Sequence, residues 1–315
     1  MGLVKELLER GLMRITREPD APGVWPDAQL KLHARPFRRK TANSQHERNS
    51  VTTLSTVNSR TPAEFKDAVR SGEFLLGTWV TTSDPMMTDV VASAAFDFLV
   101  LDAEHGPITA STALTTQIVA DRSGVPLLVR IPAIEAVPIM SALDLGAAGI
   151  LVPRVASVAD AARAAQLAHY PPTGTRGFGP RRASNYLRDV DGYLKRAAGE
   201  TTVIIQIETQ GALTDLDAIL SLASVDGVLV GRNDLAVELG LPRDPSNPEL
   251  AAITASVLGR ARAAGKAAGL ATSALPSAAI AARDLGATLV AAGIDIEFLA
   301  RAVDGFISAT RDHTA

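Results

Sequence analysis

Two acidic residues stand where short apolar runs end, and together they could bind a hard divalent cation. Glu208 follows the run Val203–Ile207, and Asp234 comes shortly after the run Gly227–Val230. Cations such as Mg²⁺ prefer carboxylate oxygens and often take only one or two ligands from the protein. Either residue could instead cap the helix that follows it, although an isolated buried carboxylate is costly. The pair therefore predicts a metal site, with helix capping as the alternative.

Arg130 and His105 carry further groups that could take part in the same chemistry. Arg130 ends an apolar run and could hold a carboxylate or enolate oxygen, and a surface salt bridge is the alternative. His105 stands among acids, and a neighbouring carboxylate could tune it for proton transfer near neutral pH. A solvent-facing structural histidine is the alternative there. His169, in contrast, is predicted to cap the end of a helix.

These residues need a scaffold that brings the ends of several strands together. From Thr61 onward, eight apolar runs alternate with helical patterns such as Asp160–His169 and Leu250–Ala264, and Thr61-Pro-Ala-Glu64 predicts a helix start. Continuous apolar runs are typical of parallel strands that are buried on both faces. Eight such units in about 250 residues predict a closed (β/α)8 TIM barrel. The predicted strands are Leu75–Val80, Phe96–Leu101, Pro126–Ile131, Gly149–Val155, Val203–Ile207, Gly227–Val230, Ala267–Ala271 and Thr288–Ala292.

Catalytic residues of such barrels lie on the loops that follow the strands. The predicted site is therefore built from Trp79, Asp102–Pro107, Arg130, Gln206–Thr209 and Gly231–Asp234. A doubly wound open sheet is the alternative fold, but no Gly-x-Gly-x-x-Gly sequence follows the first strand.

Residues 1–60 differ in character from the predicted barrel domain, residues 61–315. Residues 1–59 hold 10 Lys/Arg against 6 Asp/Glu, and beyond the amphipathic stretch Leu3–Ile15 they are mostly polar. Such a segment buries too little apolar surface to offset its ordering entropy. We therefore expect a basic extension that is disordered or loosely docked. A nucleic-acid-binding arm is the alternative, but aromatic residues are not interleaved with its basic ones.

The composition excludes several classes of protein. The chain has no cysteine, so disulfides, thiolate metal sites and cysteine nucleophiles are ruled out. The net charge of -3 gives no indication of a nucleic-acid partner. No apolar run approaches the roughly 18 residues of a membrane span, and the first residues lack the apolar core of a secretory signal. We expect a cytoplasmic protein that acts on small molecules.

The motifs at the predicted strand ends resemble those of the HpcH/HpaI family, the metal-dependent class II pyruvate aldolases. The resemblance runs from about Phe74 to Ala302, and it depends on the shared order and spacing of motifs that are each weak alone. They are Asp102-Ala-Glu-His-Gly-Pro107, Val129-Arg130, Leu143-Asp-Leu-Gly146 with Ile150-Leu-Val-Pro153, Tyr170-Pro-Pro-x-Gly-x-Arg-Gly177, Gln206-Ile-Glu-Thr209 and Val230-Gly-x-x-Asp-Leu235.

The resemblance implies a reaction and roles for the catalytic residues. Glu208 and Asp234 would ligate Mg²⁺, Mn²⁺ or Co²⁺, and pyruvate would chelate the ion through a carboxylate oxygen and its keto oxygen. Arg130 would stabilise the developing enolate, and His105 would be the acid/base. Asp144, which chemistry alone suggests is a surface acid, would orient His105. The product of cleavage would be pyruvate plus an aldehyde.

The resemblance also assigns the walls of the site. Asp102 and Glu104 would hold metal-bound waters, and Trp79 and Gln206 would line the pocket. Backbone N–H groups of Gly231–Asn233 would bind the pyruvate carboxylate. Family members commonly form trimers or hexamers, with the last helix exchanged between subunits and the site completed by a neighbour. A homo-oligomer is therefore expected.

Two residues depart from the family pattern. Arg232 and Asn233 stand where family members usually carry proline and a small residue. Arg232 would place a cation near the substrate carboxylate or the acceptor, so this departure affects the choice of second substrate more than the metal chemistry.

Three other functions compete with the aldolase. A similar site could decarboxylate oxaloacetate and capture the enolate differently, as macrophomate synthase-like relatives do. A citrate-lyase-β-like acyl-CoA lyase is less favoured, because such relatives usually show Asp-x-Glu-Asp where this chain has Asp102-Ala-Glu-His105. A catalytically silent barrel with a partner-binding basic arm is disfavoured by the acids, His105 and Arg130 together. No lysine lies at a predicted strand end, which argues against a Schiff-base aldolase.

Overall fold

The predicted barrel is confirmed by the computed structural model, which describes residues 59–244 and 246–312. Its eight strands form a closed barrel in chain order, with parallel neighbours and with β8 paired to β1. This closure excludes the open-sheet alternative, in which two edge strands would lack a partner. The strands are β1 Leu75–Val80, β2 Phe98–Asp102, β3 Leu127–Arg130, β4 Gly149–Val152, β5 Thr202–Ile207, β6 Gly227–Val230, β7 Ala267–Thr272 and β8 Leu289–Ile294.

The helices surround the barrel and confirm the predicted helix signals. The Thr61 hydroxyl accepts a hydrogen bond from the Glu64 amide, and the Glu64 carboxylate accepts one from the Thr61 amide. No helix in this part of the chain is both long and apolar enough to cross a lipid bilayer. The helices are α1 Pro62–Ser71, α2 Pro85–Ala92, α3 Ala110–Ser123, α4 Ala136–Asp144, α5 Val158–Ala168, α6 Val190–Glu200, α7 Gln210–Thr214, α8 Leu216–Ser221, α9 Arg232–Glu238, α10 Pro248–Ala263, α11 Pro276–Asp284 and α12 Asp295–Asp312.

Strand residues alternate between two apolar layers, because successive side chains of a strand point to opposite faces. Leu99 and Leu101 belong to the outer layer, between the strands and the helices. Phe98 and Val100 belong to the inner layer, which fills the barrel. A Cβ atom at Gly77 would lie 2.6 Å from the Phe98 ring, so glycine is needed where this large side chain crosses the barrel. Burial on both faces explains the continuous apolar runs.

Helix α1 closes the amino-terminal end of the barrel. Its Phe65 ring lies 5.8 Å from the Phe98 ring, centroid to centroid, inside the inner layer. The buried Lys66 ammonium donates to the carbonyl oxygens of Ala198 and Thr201 and lies 3.4 Å from the Asp226 carboxylate. With this end filled, the opposite end of the strands is left for polar groups.

The end of β4 differs from its prediction. The predicted strand runs to Val155, whereas the structure ends it at Val152. Pro153 has no amide hydrogen for the strand ladder, and Arg154 adopts the left-handed region with φ 56°. The predicted extension lies outside the described residues apart from Ser59 and Arg60, as does the helical stretch Leu3–Ile15, so the domain boundary stays a prediction.

Candidate active site

Polar side chains meet at the carboxyl-terminal ends of the strands. We call this end of the barrel, with the residues that follow each strand, the mouth. Asp102 and Arg130 are register partners on the neighbouring strands β2 and β3. Glu208 directly follows β5, and Gly231 directly follows β6, the next strand around the barrel. The strand order thus places groups that are distant in sequence around one opening.

Arg130 is held rigidly at the mouth. Its Nε donates to Asp102 Oδ1 at 2.9 Å and its Nη2 donates to Oδ2 at 2.6 Å, which is a two-point arrangement. Its Nη1 lies 3.3 Å from Glu104 Oε2, and the guanidinium stacks 4.6 Å from the centre of the Trp79 ring. Burial opposes the ionisation of Asp102, but the hydrogen bonds and charge of Arg130 outweigh it and lower the pKa of that carboxyl. The pair is therefore a fixed, ionised unit.

Glu208 is a buried carboxylate at the end of β5. It is 3% exposed and forms no ion pair with a basic side chain of the described residues. Its Oε1 accepts a hydrogen bond from the Arg154 backbone N–H at 2.6 Å, and its Oε2 accepts one from Gln206 Nε2. Burial raises the pKa of Glu208 above its ordinary value, and the negative charges of Asp234 and Glu104 raise it further. The site therefore attracts a cation.

Glu104 is a second carboxylate of the mouth whose ionisation is disfavoured, and its charge acts on Glu208. Burial raises its pKa, despite the opposing charge of Arg130. Its Oε2 is buried and has no hydrogen-bond partner in the part of the chain described. His105 Nε2 lies 3.8 Å from that same oxygen, and the His105 side chain is 65% exposed. His105 is thus open to substrate on one side and faces an acid on the other.

The turn after β6 forms the wall opposite Arg154. A Cβ atom at Gly231 would lie 2.8 Å from Gln206 Nε2 and 3.0 Å from Glu208 Oε2, so any other residue would displace the ends of these two side chains. Arg232 is half-buried and, among the described residues, forms no ion pair or side-chain hydrogen bond; burial lowers the pKa of its guanidinium. Asn233 and Asp234 are exposed at the start of α9.

Asp144 is the one predicted site residue that does not lie at the mouth of the same chain. It ends α4, before the amino-terminal end of β4, so it lies at the opposite end of the barrel. Its carboxylate accepts a hydrogen bond from Arg176 Nη2 at 2.5 Å, and Arg176 stacks 4.6 Å from the centre of the Tyr170 ring. Within one chain Asp144 does not contact His105.

The chemistry of the donor atoms at the mouth, which are carboxylate and amide oxygens, suits a hard divalent cation. The negative charge of Asp234 acts on Glu208 at the mouth, and among the described residues Gln206 Oε1 and Glu104 Oε2 are buried without hydrogen-bond partners. Residues 59–244 and 246–312 contain no group of three or more His, Cys, Asp or Glu side chains arranged for a metal. A site with two carboxylates suits Mg²⁺, which keeps several waters when it binds to proteins.

Arg154 is a residue of the mouth that the sequence analysis missed. The predicted strand Gly149–Val155 includes Arg154 as its last residue but one, so the sequence does not indicate that the chain turns there. The pair Pro153-Arg154 is the only local signal, because proline ends the ladder and leaves the next amide free to donate elsewhere. That amide binds Glu208, which comes much later in the chain.

Comparison with known proteins gives concordant matches. The family model described as HpcH/HpaI aldolase/citrate lyase matches residues 75–302. A 4-hydroxy-2-oxovalerate aldolase of Rhodococcus jostii is 38% identical over 75% of this chain and 92% of its own length. A 4-hydroxy-2-oxo-heptane-1,7-dioate aldolase of Salmonella dublin is 37% identical over 76% of this chain and 91% of its own length. A solved HpcH/HpaI aldolase/citrate lyase family protein from Burkholderia cenocepacia has a TM-score of 0.73 and 29% identity, covering 78% of this chain and 98% of that protein.

Proposed function

Because the chain belongs to the HpcH/HpaI aldolase/citrate lyase family, we propose that it is a divalent-metal-dependent aldolase that cleaves or forms 4-hydroxy-2-oxo acids. The observation that carries this proposal is Glu208, a buried carboxylate whose pKa is raised by burial and by the charges of Asp234 and Glu104, and which forms no ion pair with a basic side chain of the described residues. Such a group is costly unless a cation binds it. The products of cleavage would be pyruvate and an aldehyde, in line with the names of the two relatives.

The residues of the mouth divide the work of cleavage between them. A divalent cation held by Glu208 and Asp234 would polarise the 2-oxo group and help to neutralise the negative charge that develops on its oxygen. Arg130 would add a fixed positive charge on the same oxygen, and its position needs no reorganisation because Asp102 and Trp79 already hold it. Glu104 and Asp102 would accept hydrogen bonds from waters at the mouth.

His105 would move the proton. Its side chain is exposed toward the opening, so it can accept the proton of the C4 hydroxyl group as the C3–C4 bond breaks. The electron pair of that bond passes into the enolate of pyruvate, and the aldehyde leaves. A proton delivered to C3 then completes pyruvate. In the direction of synthesis, the same group returns its proton to the new hydroxyl.

The 2-oxo acid needs a site for its own carboxylate. The backbone N–H groups of Gly231–Asn233 would bind it, since Gly231 keeps the turn close to Glu208 without a side chain in between. Arg232 would contribute a cation to the same wall, and Gln206 and Trp79 would line the pocket.

The assembly would be a homo-oligomer, a trimer or hexamer, in which a neighbour supplies Asp144 to His105. One face of α12 supports this, because apolar side chains recur on it every three or four residues and are largely exposed: Ile296, Leu299, Val303 and Phe306. The cytoplasmic location stays a prediction.

A coupled assay for pyruvate release tests the proposal. The substrates are a panel of 4-hydroxy-2-oxo acids, and oxaloacetate is included to detect decarboxylation. We expect release with Mg²⁺, Mn²⁺ or Co²⁺ and its loss with EDTA. Pyruvate release from none of the hydroxy acids under any of these metals would refute the aldolase.

A further inference from the structure

Arg154, the second residue after β4, lies beside Glu208. Pro153 cannot donate a hydrogen bond, so Arg154 provides the first backbone N–H after the strand, and it donates to Glu208 Oε1 at 2.6 Å. This contact fixes the Cα atom of Arg154 next to Glu208. The site is thereby flanked on the β4 side by Arg154 and on the β6 side by Gly231.

Arg154 adopts a backbone conformation that is unfavourable for arginine. Its φ of 56° lies in the left-handed region, which asparagine and glycine adopt more readily than arginine. Residues held in such backbone conformations cluster at active sites. The N–H contact to Glu208 requires no arginine, because every residue type except proline could donate it.

Arg154 brings a positive charge to this side of the mouth. Its side chain is exposed, and among residues 59–244 and 246–312 it has no carboxylate in ion-pair contact. Arg130, two strands away from Glu208 around the barrel, is in contrast already paired with Asp102 and Glu104. A planar guanidinium with free donors matches a carboxylate by two parallel hydrogen bonds.

We propose that Arg154 selects the second substrate by charge, by binding a carboxylate at the end of the acceptor aldehyde that is remote from its carbonyl carbon. This rests on the proposed function, which assigns the carboxylate of the 2-oxo acid to the Gly231 turn on the β6 side. The cation on the β4 side is then left for the other substrate. The acceptor class is an ω-carboxylated aldehyde, such as 4-oxobutanoate.

The test compares two aldehydes of equal chain length, 4-oxobutanoate and butanal, in aldol addition with pyruvate and Mg²⁺. The wild type should show a higher kcat/KM for the charged aldehyde. Arg154→Asn removes the charge and tolerates the left-handed backbone, and it should lower the ratio of the two kcat/KM values about 10- to 100-fold. The loss should appear mainly as a raised KM for 4-oxobutanoate, and Arg154→Lys should restore part of it.

Two controls separate this role from a structural one. Arg163→Asn removes an exposed arginine on the outer helix α5 and should leave the ratio unchanged. Raising the ionic strength should reduce the advantage of the charged aldehyde in the wild type, because an exposed charge is screened by salt, and it should have less effect in Arg154→Asn.

The outcomes distinguish the two proposals. An unchanged ratio in Arg154→Asn, an equal rise in the KM for pyruvate, or a shift only in Arg232→Asn would overturn the role of Arg154 and leave the aldolase standing. Addition to neither aldehyde, together with no pyruvate release from the hydroxy acids, would overturn the aldolase itself.

Discussion

Replacing Glu208 by glutamine tests the metal site directly, because the change removes the charge and keeps the shape. The new amide oxygen can still accept from the Arg154 N–H. The new NH₂ group would face the Gln206 NH₂ group, but Gln206 Oε1 is buried without a partner, so rotation of the Gln206 amide can supply an acceptor. We therefore expect the variant to fold.

The sign of the stability change follows from the raised pKa of Glu208. The folded state binds the proton of this group more tightly than the unfolded state does. Ionised Glu208 therefore lowers the free energy of unfolding. This loss is absent below the ordinary pKa of glutamate and fully present above the raised pKa of Glu208 in the folded state. At pH 7.5 the metal-free Glu208→Gln variant should therefore unfold at a temperature no lower than that of the wild type.

The two proteins, wild type and Glu208→Gln, should differ in how much a divalent cation raises their Tm. A cation at a hundred times its Kd stabilises the folded state by about 2.7 kcal/mol. At about 2–4 °C per kcal/mol for a domain of this size, the wild-type Tm should rise by about 5–10 °C. The variant should show almost no rise in differential scanning calorimetry with and without Mn²⁺, and its pyruvate release should be lost.

A matched control guards against a general effect of removing a carboxylate. Glu200, at the end of α6, is half-buried and burial also raises its pKa, but it pairs with Arg196 away from the mouth. Glu200→Gln should keep the full metal-dependent rise. If Mn²⁺ raises the Tm of Glu208→Gln as much as that of the wild type, the metal does not bind at Glu208 and the reasoning fails.

Four further changes have expected outcomes. Gly231→Ala would place a Cβ atom 3.0 Å from Glu208 Oε2, so the Kd for Mn²⁺ in titration calorimetry should rise at least tenfold; an unchanged Kd would show that the turn yields freely. Arg130→Lys cannot keep both parallel hydrogen bonds to its carboxylate partner, so kcat for pyruvate release should fall by about 10²–10³-fold, and a kcat within threefold of the wild type would contradict its role. Burial lowers the pKa of His169, so the free energy of unfolding should fall as the pH drops below about 6.5, by at most about 1.4 kcal/mol per pH unit. Urea unfolding of His169→Gln should show a flatter pH dependence, and an equal slope would assign the loss to other groups. Phe306→Asp should shift the particles seen by light scattering to smaller mass, unless α12 takes no part in assembly.

Much of the barrel could be predicted because its signals are local. Each strand is a continuous apolar run, and each predicted run overlaps an observed strand, with ends that differ by a few residues. Short motifs also predicted the capping box at Thr61 and the helix end at His169. Where β4 ends early, a single proline outweighs the apolar character of Val155, because the ladder needs a backbone donor.

The candidate site could be predicted in part for the same reason. Parallel strands in a closed barrel all end at one rim, so residues placed after strands are expected to be neighbours whatever their separation in the chain. Asp102, Arg130 and Glu208 are brought together in this way. Asp144 could not be placed by this rule, since it ends a helix at the opposite rim and pairs with Arg176.

The sequence by itself determined the fold class, most residues of the mouth and, through their order and spacing, the resemblance to a family of metal-dependent aldolases. The tertiary structure alone decided how those residues are charged and held. It paired Arg130 with Asp102, buried Glu208 without an ion pair among the described residues, and turned the amide of Arg154 toward Glu208 while leaving the Arg154 side chain exposed. The physical reason is that burial and hydrogen-bond geometry depend on which atoms meet across the barrel, and residue spacing along the chain does not specify that.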